Sequence, residues 1–292
     1  MDDVRVWWTS AHRRHVWDLT NGPVWLDGGV SGQHWPDFSQ VTAQPARKAG
    51  ALYRGTRWNA RKVGLNVIVG DPFWSAEVRT GLKYRHLESD WNYDLSEETT
   101  GRLCWVTGRG YRWLDCRVEK ATDPKGTTDP ARHGVGRYSY VLASDEAFYS
   151  GFPARYTVAS RADEKVKGRV WNVGDYEAFP ILRVHGPAQW VLDAGRGEIV
   201  LPEIRDGDWW DIDTDPDVLT VTDSQGVNRR DVFNSEWATG PDSGGLSVNA
   251  LSVPVPPGEP VEVKATPVGR PPIGKDRARV EAVIHPRYRR AW

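Results

Sequence analysis

Cysteine is nearly absent from this 292-residue sequence, which has only Cys104 and Cys116. Neither has a second Cys or a His at zinc-ligand spacing, so no metal site is expected through them. The seven histidines (His12, His15, His34, His86, His133, His185 and His285) are scattered, with no His-x-x-x-His pair to support a metal or general-base cluster. No glycine-rich phosphate loop follows a strand, and no 18 consecutive apolar residues occur, so neither a nucleotide cofactor nor membrane insertion is expected. The first 20 residues carry Asp2, Asp3, Arg5, Arg13 and Arg14 and no apolar h-region, so the expectation is a soluble chain made in the cytosol without an ordinary signal peptide. An excess of either charge is also missing. With 38 Lys plus Arg against 39 Asp plus Glu, no global field attracts nucleic acid or an anionic membrane.

What the sequence does have is tryptophan, 16 residues of it, beside one Met and six Phe. Each buried Trp removes about 150–250 Å² from water, worth on the order of 4–6 kcal/mol gross. That is more than one small core needs. Two readings stand side by side: plain packing of a sheet-rich protein, because aromatics suit strands, or tryptophans placed in subunit contacts or on a sugar-stacking face. The length is close to where one core divides into two, so two domains are expected.

The chain is organised around residues 51–120. Val63, Leu65, Val67 and Val69 alternate along Lys62–Val69 at the period of a strand. After the turn Gly70-Asp71-Pro72, the spacing of Val78 and Leu82 and then of Leu87, Trp91 and Leu95 is helical. Arg102–Thr107 and Tyr111–Glu119 read as two strands of a hairpin joined through Gly108-Arg109-Gly110. Cys104 and Cys116 lie on its opposite arms, facing or diagonal, and are expected to be free buried thiols in a reduced cytosol.

Before this unit, Val4–Trp8, Val16–Leu19 and Val24–Leu26 read as strands, and Gly32–Gly50 reads as an extended arm or a surface loop. After it, Ala121–Gly136 reads as loop and Tyr138–Leu142 as a strand. Beyond Gly151 come short strands at Val170–Val173, Ile181–Val184, Gln189–Leu192, Glu198–Leu201, Leu219–Thr222, Leu246–Val248 and Ala278–Ile284. Their turn signals predict a β-sandwich or barrel. The expected fold is therefore mainly β, with an α+β N-terminal half. The boundary is expected in the charged stretch around 155–175, giving domains 1–160 and 161–292.

Two motifs suggest chemistry and fail on inspection. Asp242-Ser243-Gly244-Gly245 is like a serine-protease nucleophile loop, but Pro241 precedes it and no His and Asp stand in companion contexts, as a triad requires. Asp211, Asp213, Asp215 and Asp217 alternate as calcium loops do. There, however, Pro216 replaces the sixth-position glycine and Thr222 the twelfth-position acid, so a strand Trp209–Asp213 ending in an Asx-type turn is expected instead. No catalytic constellation is visible.

Taken in order, several short pieces resemble the distal tail proteins of long-tailed phages, in the form found as minor tail proteins of actinobacteriophages. In the first half these are Val16-Trp17-Asp18-Leu19, Ala49-Gly50, Arg54-Gly55, the acidic helix ending at Trp91 and Gly101-Arg102-Leu103. The same half continues with Trp113-Leu114-Asp115-Cys116-Arg117, Gly134–Tyr138, Leu142, Asp145 and Phe148-Tyr149-Ser150-Gly151. In the second half they are Phe179-Pro180-Ile181, Gly186-Pro187, Ile212-Asp213-Thr214-Asp215-Pro216 and Gly226-Val227-Asn228. One departure is Asp145-Glu146-Ala147-Phe148-Tyr149, where the family has Trp after Asp-Pro.

The resemblance implies an N-terminal belt domain, a β-sandwich with one helix and a β-hairpin, closing into a ring that is commonly a hexamer. It implies a C-terminal galectin-like β-sandwich outside the ring. Carried over, Arg85–Leu95 would be the belt helix, Arg102–Glu119 the belt hairpin and Phe179–Ile284 the outer sandwich. The implied role is structural and not enzymatic, at the tail tip of a virion. The implied partners are further copies of the chain, the tail tube protein, the tape measure protein, and the tail-associated hub and receptor-binding proteins.

A head-to-tail ring needs two different complementary patches on each protomer. Trp105, Arg109, Tyr111 and Trp113 on the hairpin are the candidates for that contact. The competing expectation is a carbohydrate-binding tail component, for which Trp209 and Trp210 are the candidates; as neighbours on a strand they face opposite ways, so only one could line a groove. A tail-associated hydrolase, needing an acid pair in a cleft, is a third possibility.

Overall fold

A computed structural model describes residues 4–44, 49–70, 81–124, 129–160, 164–229, 248–269 and 277–292. The chain forms two compact units, residues 1–150 with 288–292, and residues 151–287. The expected boundary at residue 160 needs correction, because Ala154–Ser160 is a strand paired along Arg279–Ile284 in the second unit.

The first unit contains β1 (Arg5–Thr9), β2 (Val16–Asp18), β3 (Val24–Leu26), β4 (Phe38–Ala43), β5 (Leu52–Trp58) and β6 (Arg61–Gly70). Helix α1 (Gly81–Tyr93), β7 (Gly101–Thr107), β8 (Gly110–Thr122), the short α2 (Pro130–His133), β9 (Val135–Ser144) and β10 (Tyr149–Ser150) follow. Seven strands hydrogen-bond in the order β2-β1-β7-β8-β9-β6-β3. Strand β8 serves two halves of this sheet. Gly110–Cys116 pairs with β7, Arg117–Thr122 pairs with β9, and the register slips between Val118 and Lys120. A bulge of that kind bends a strand and lets the sheet turn over itself. Apolar residues of both halves then meet in one core: Trp8, Leu103, Trp105 and Leu114 from one, Leu65, Val67 and Leu142 from the other.

Helix α1 covers this core with Tyr84 and Trp91, which are buried seven residues apart on one face. The Tyr84 hydroxyl lies 2.7 Å from that of Tyr138, which donates to Glu88, and the Trp91 indole donates to the Tyr140 hydroxyl at 3.2 Å. A Cβ on Gly136 would sit 2.2 Å from the Tyr84 oxygen, so a glycine is what lets the helix approach β9. Leu82, expected on the apolar stripe, is 64% exposed. Val78, the Asp71-Pro72 turn, the Asp242–Gly245 loop and Leu246-Ser247 lie outside the described residues.

The second unit is a sandwich of two antiparallel sheets. Its strands are β11 (Ala154–Ser160), β12 (Lys167–Val170), β13 (Pro180–His185), β14 (Gln189–Asp193), β15 (Glu198–Val200), β16 (Trp209–Asp213), β17 (Val221–Asp223), β18 (Val261–Val268) and β19 (Arg279–Ile284). One sheet runs β11-β19-β13-β16-β17 and the other β12-β18-β14-β15. Leu182, Val184, Ile212, Val280 and Ile284 of the first share a core with Trp190, Leu192, Ile199, Val263 and Ala265 of the second. The burial pattern BiBiBi of β13 is the period-2 signature read from the sequence.

Three local expectations are corrected. The strand expected at Val170–Val173 ends at Val170, because the buried Asn172 side chain turns to the Tyr176 and Val255 carbonyls, at 2.7 and 3.0 Å, and leaves the ladder. Gly32–Gly50 is not wholly irregular, since Phe38–Ala43 pairs with Leu52–Trp58 as a two-stranded ribbon. Within Ala121–Gly136, expected as loop, β8 runs on to Thr122, Pro130–His133 is helical and β9 begins at Val135.

Candidate assembly surfaces

The β7–β8 hairpin fixes which of its side chains can meet a partner. Residues opposite one another in the register share a face, so Gly101, Leu103 and Trp105 lie with Arg112, Leu114 and Cys116. That face is the core side. A Cβ on Gly101 would come within 2.3 Å of the Trp8 ring, which shows how tightly it is filled. Trp105 has no exposed surface and stacks edge-on against Tyr149 at 5.0 Å. As an interface candidate it is therefore corrected to a core residue.

Arg102, Cys104, Tyr111, Trp113 and Asp115 point the other way. Cys104 and Cys116 thus sit on opposite faces of the hairpin, where no disulfide can join them; both are free and buried. Burial pushes the Cys116 thiol up to about 12. Arg102 makes a two-pronged ion pair with Asp115, at 2.7 and 2.9 Å, and lies 4.8 Å over the half-buried Trp113 ring. Tyr111, 40% exposed, leans on Trp7 at 6.2 Å, and Arg109 is exposed on the turn. Arg109 and Tyr111 are thus exposed at the hairpin's end, and Trp113 is half-buried on its outer face.

Sequence reasoning missed two polar centres that hold this unit in shape. The Asp94 carboxylate, just past the end of α1, is fully buried. It accepts hydrogen bonds from Ser10 Oγ at 2.8 Å and Trp17 Nε1 at 2.9 Å and lies 2.6 Å from His15 Nδ1, while Trp8 Nε1 donates to the Asp94 carbonyl at 3.2 Å. Burial raises its pKa, but Ser10, Trp17 and His15 outweigh burial and hold the carboxyl below the ordinary value. The hydroxyl sits on the carboxylate and not on the imidazole, so these residues are not a nucleophilic triad. Arg61 is also buried. Its guanidinium donates to the carbonyls of Gly32, Ala147 and Arg289, at 3.0, 2.8 and 2.8 Å, and lies 4.3 Å over the Tyr149 ring, fastening the last residues of the chain into the first unit. A lone Asp and a lone Arg carry no spacing signal, so nothing in the sequence could have singled them out.

In the second unit Trp209 lies under the Arg183 guanidinium at 4.3 Å, and Arg183 is paired in two prongs with Asp211 at 2.7 and 2.6 Å. Trp210, on the other face, packs against the core and lines a cleft of about 360 Å³ with Glu203, Arg205, Asp208, Gln225 and Arg229. The alternating aspartates form local turns: Asp213 accepts from the Asp215 amide at 3.0 Å and Asp215 from the Asp217 amide at 3.1 Å. Among the described residues no group of three or more His, Cys, Asp or Glu is placed to hold a metal ion.

No family model matches the sequence, and no curated protein does. Solved structures do match the fold over nearly its whole length. The SPP1 Dit (gp 19.1) protein, described as a paradigm of the hub adsorption apparatus in phages infecting Gram-positive hosts, superposes with a TM-score of 0.62 at 13% identity, covering 98% of this chain and 99% of that one. A chain of the phage P2 baseplate in its activated conformation with Ca gives 0.51 at 11% identity, covering 98% of each chain. The corresponding baseplate with Sr gives 0.53, again at 11%. The mainly β, two-unit fold is shared with these phage proteins.

Proposed function

We propose that this chain is a structural protein of a phage tail tip, a distal tail protein that closes head to tail into a ring, commonly of six, and joins the tail tube to the host-attachment apparatus. The observation that carries this reading is the correspondence with the SPP1 hub protein across both units and almost every residue of each chain. The ordered pieces of sequence from Val16 to Asn228 point to the same family. In this reading the first unit is the belt, and Arg109, Tyr111 and Trp113 belong to the contact between copies. The second unit is a galectin-like sandwich on the ring's outer side. The tail tube, tape measure, hub and receptor-binding proteins are the neighbours, and no reaction is performed. Electron microscopy of the purified protein, with antibody labelling of virions, tests it: rings and label at the tail end are expected, whereas a monomer absent from virions refutes it.

A second reading, binding of host-surface glycans, is favoured by one observation, the cleft beside Trp210 with its polar rim. Selective glycan-array binding by the full chain, lost in Trp210→Ala, is its expected signature. An array without selective signal removes it.

A further inference from the structure

Helix α1 carries Tyr84, Glu88 and Trp91 at the spacing that lines side chains up along one helix face. Tyr138 and Tyr140, two apart on β9, reach that face: Tyr138 donates to Glu88, and Tyr140 accepts from the Trp91 indole. With Trp17 of β2 these side chains make an unbroken row of rings. Trp17 meets Trp91 edge-on at 5.6 Å, Trp91 meets Tyr140 at 6.2 Å, and Tyr140 stacks on Tyr138 at 6.3 Å with the planes 18° apart. Each step falls within the about 4.5–7 Å of aromatic rings in contact. All four rings are buried.

The row is not the same at every point, because its members differ in where a proton can go. Losing an electron turns a phenol or an indole into a strong acid, so the ring that can hand its proton to a base already in place is the easiest to leave oxidised. Tyr138 is that ring. Its hydroxyl donates to the half-buried Glu88 carboxylate, and the Tyr84 hydroxyl stands 2.7 Å behind it. Tyr140 and Trp91 donate to neutral acceptors, the Asn92 amide oxygen and the Tyr140 hydroxyl, both at 3.2 Å. Trp17 donates to the Asp94 carboxylate at 2.9 Å, but that carboxyl is held below its ordinary value and takes a proton poorly. Burial pushes the Tyr84 hydroxyl up to about 12 and raises that of Tyr138 as well. Near neutral pH both phenols therefore keep their protons until an electron is removed.

We propose that Trp17, Trp91, Tyr140 and Tyr138 form a relay that carries oxidising equivalents out of the tryptophan-rich core to Tyr138, with Glu88 as the proton acceptor. The oxidant is an external one-electron oxidant of the carbonate-radical class. It takes one electron from Trp17 and leaves reduced, and the electron is replaced in turn from Trp91, Tyr140 and Tyr138. Tyr138 thereby loses one electron along the row and one proton to Glu88, becoming a neutral phenoxyl radical beside a carboxylic acid. No bond between heavy atoms forms or breaks. A soluble thiol or ascorbate returns the electron, Glu88 returns the proton, and the side chains are as they began. The benefit is to the fold, since an indole radical left in place adds oxygen irreversibly whereas a phenoxyl radical persists long enough to be repaired. No substrate is turned over, so the relay stands beside the structural role and does not depend on it.

The test uses the full-length protein and flash-generated tris(bipyridine)ruthenium(III) as the one-electron oxidant. Freeze-quench electron paramagnetic resonance is expected to show a tyrosyl radical, identified by the narrowing that ring-deuterated tyrosine produces. Tyr138→Phe should lose that signal and raise oxygenation of Trp17 and Trp91 severalfold in peptide mass spectrometry. Trp190, buried in the core of the second unit, is the internal control and should be oxygenated to the same extent in parent and variant. Glu88→Gln keeps the shape of the acceptor and removes the base, so the tyrosyl signal should form severalfold more slowly; it decides the matter if Tyr138→Phe fails to fold. A parent without a tyrosyl radical overturns the relay, as does a Tyr138→Phe protein with unchanged signal and unchanged Trp17 and Trp91 damage. A rise at Trp190 equal to that at Trp17 shows a loosened fold in place of a guided path and overturns it too. A radical that forms as fast in Glu88→Gln as in the parent refutes the role of Glu88.

Discussion

Replacing Asp94 by Asn keeps the shape of the side chain and removes its charge, which isolates what the buried carboxylate contributes. Three side chains meet it, Ser10 at 2.8 Å, Trp17 at 2.9 Å and His15 at 2.6 Å. An amide has one acceptor oxygen, so at least one of these donors faces an N–H instead. A hydrogen bond to a charged group contributes about 1.5–3 kcal/mol, and His15, 42% exposed, recovers part of its loss through water. The expected cost is about 2–4 kcal/mol. For a unit of this size that lowers its melting temperature by about 5–15 °C, measured by calorimetry together with the near-ultraviolet dichroism of Trp8 and Trp17.

Because the folded carboxyl titrates below its ordinary value, the unfolded chain takes up the proton first. The stabilisation is then full above about pH 4 and is lost as pH falls through the lower folded value. The gap between parent and variant should be flat from about pH 5 to 7 and close below about pH 4. A melting temperature within about 2 °C of the parent, or a gap unchanged at about pH 2.5, refutes the assignment of Asp94 as the centre that ties the N-terminal strands to α1.

The remaining predictions separate fold from assembly. Trp105→Ala should cost about 3–5 kcal/mol in chemical denaturation because it empties a filled core position, whereas Trp113→Ala should leave stability within about 1 kcal/mol and weaken self-association in light scattering. Arg61→Met should cost about 3 kcal/mol or more, by the loss of its bonds to three carbonyls, and raise hydrogen exchange and protease cleavage at residues 288–292. Both cysteines should resist thiol reagents in the native protein and titrate as two free thiols after denaturation; a crosslinked pair in a non-reducing digest would contradict the hairpin register.

Much of the fold was legible because it is written in the period of apolar residues. Val63, Leu65, Val67 and Val69 marked β6, Leu182 and Val184 marked β13, and the glycines around Arg109 marked the hairpin turn. The ribbon β4–β5 was not legible as strands. It has no buried face, so FSQVTA and LYRGTRW show no alternation. Strand β18 was hidden by Lys264 and Thr266 on its exposed side and by Pro267 on the other, and Leu82, read as part of the helix's apolar stripe, is left in water by the tertiary structure.

The sequence by itself determined the class of the elements, the two-part division and the absence of a recognisable catalytic pattern, since these follow from spacing and composition along one dimension. Only the tertiary structure decided which side of each strand faces inward. Period 2 says that Leu103 and Trp105 share a face and that Trp113 lies on the other, and the choice between them falls to Trp8 and Tyr149, which come from opposite ends of the unit to fill one side. The same holds for Asp94, which Ser10 reaches across 84 residues, and for Arg61, which reaches Gly32 across 29, Ala147 across 86 and Arg289 across 228. A carboxylate or guanidinium is tolerated in a core only where distant groups converge to satisfy it, and convergence is a property of the folded chain.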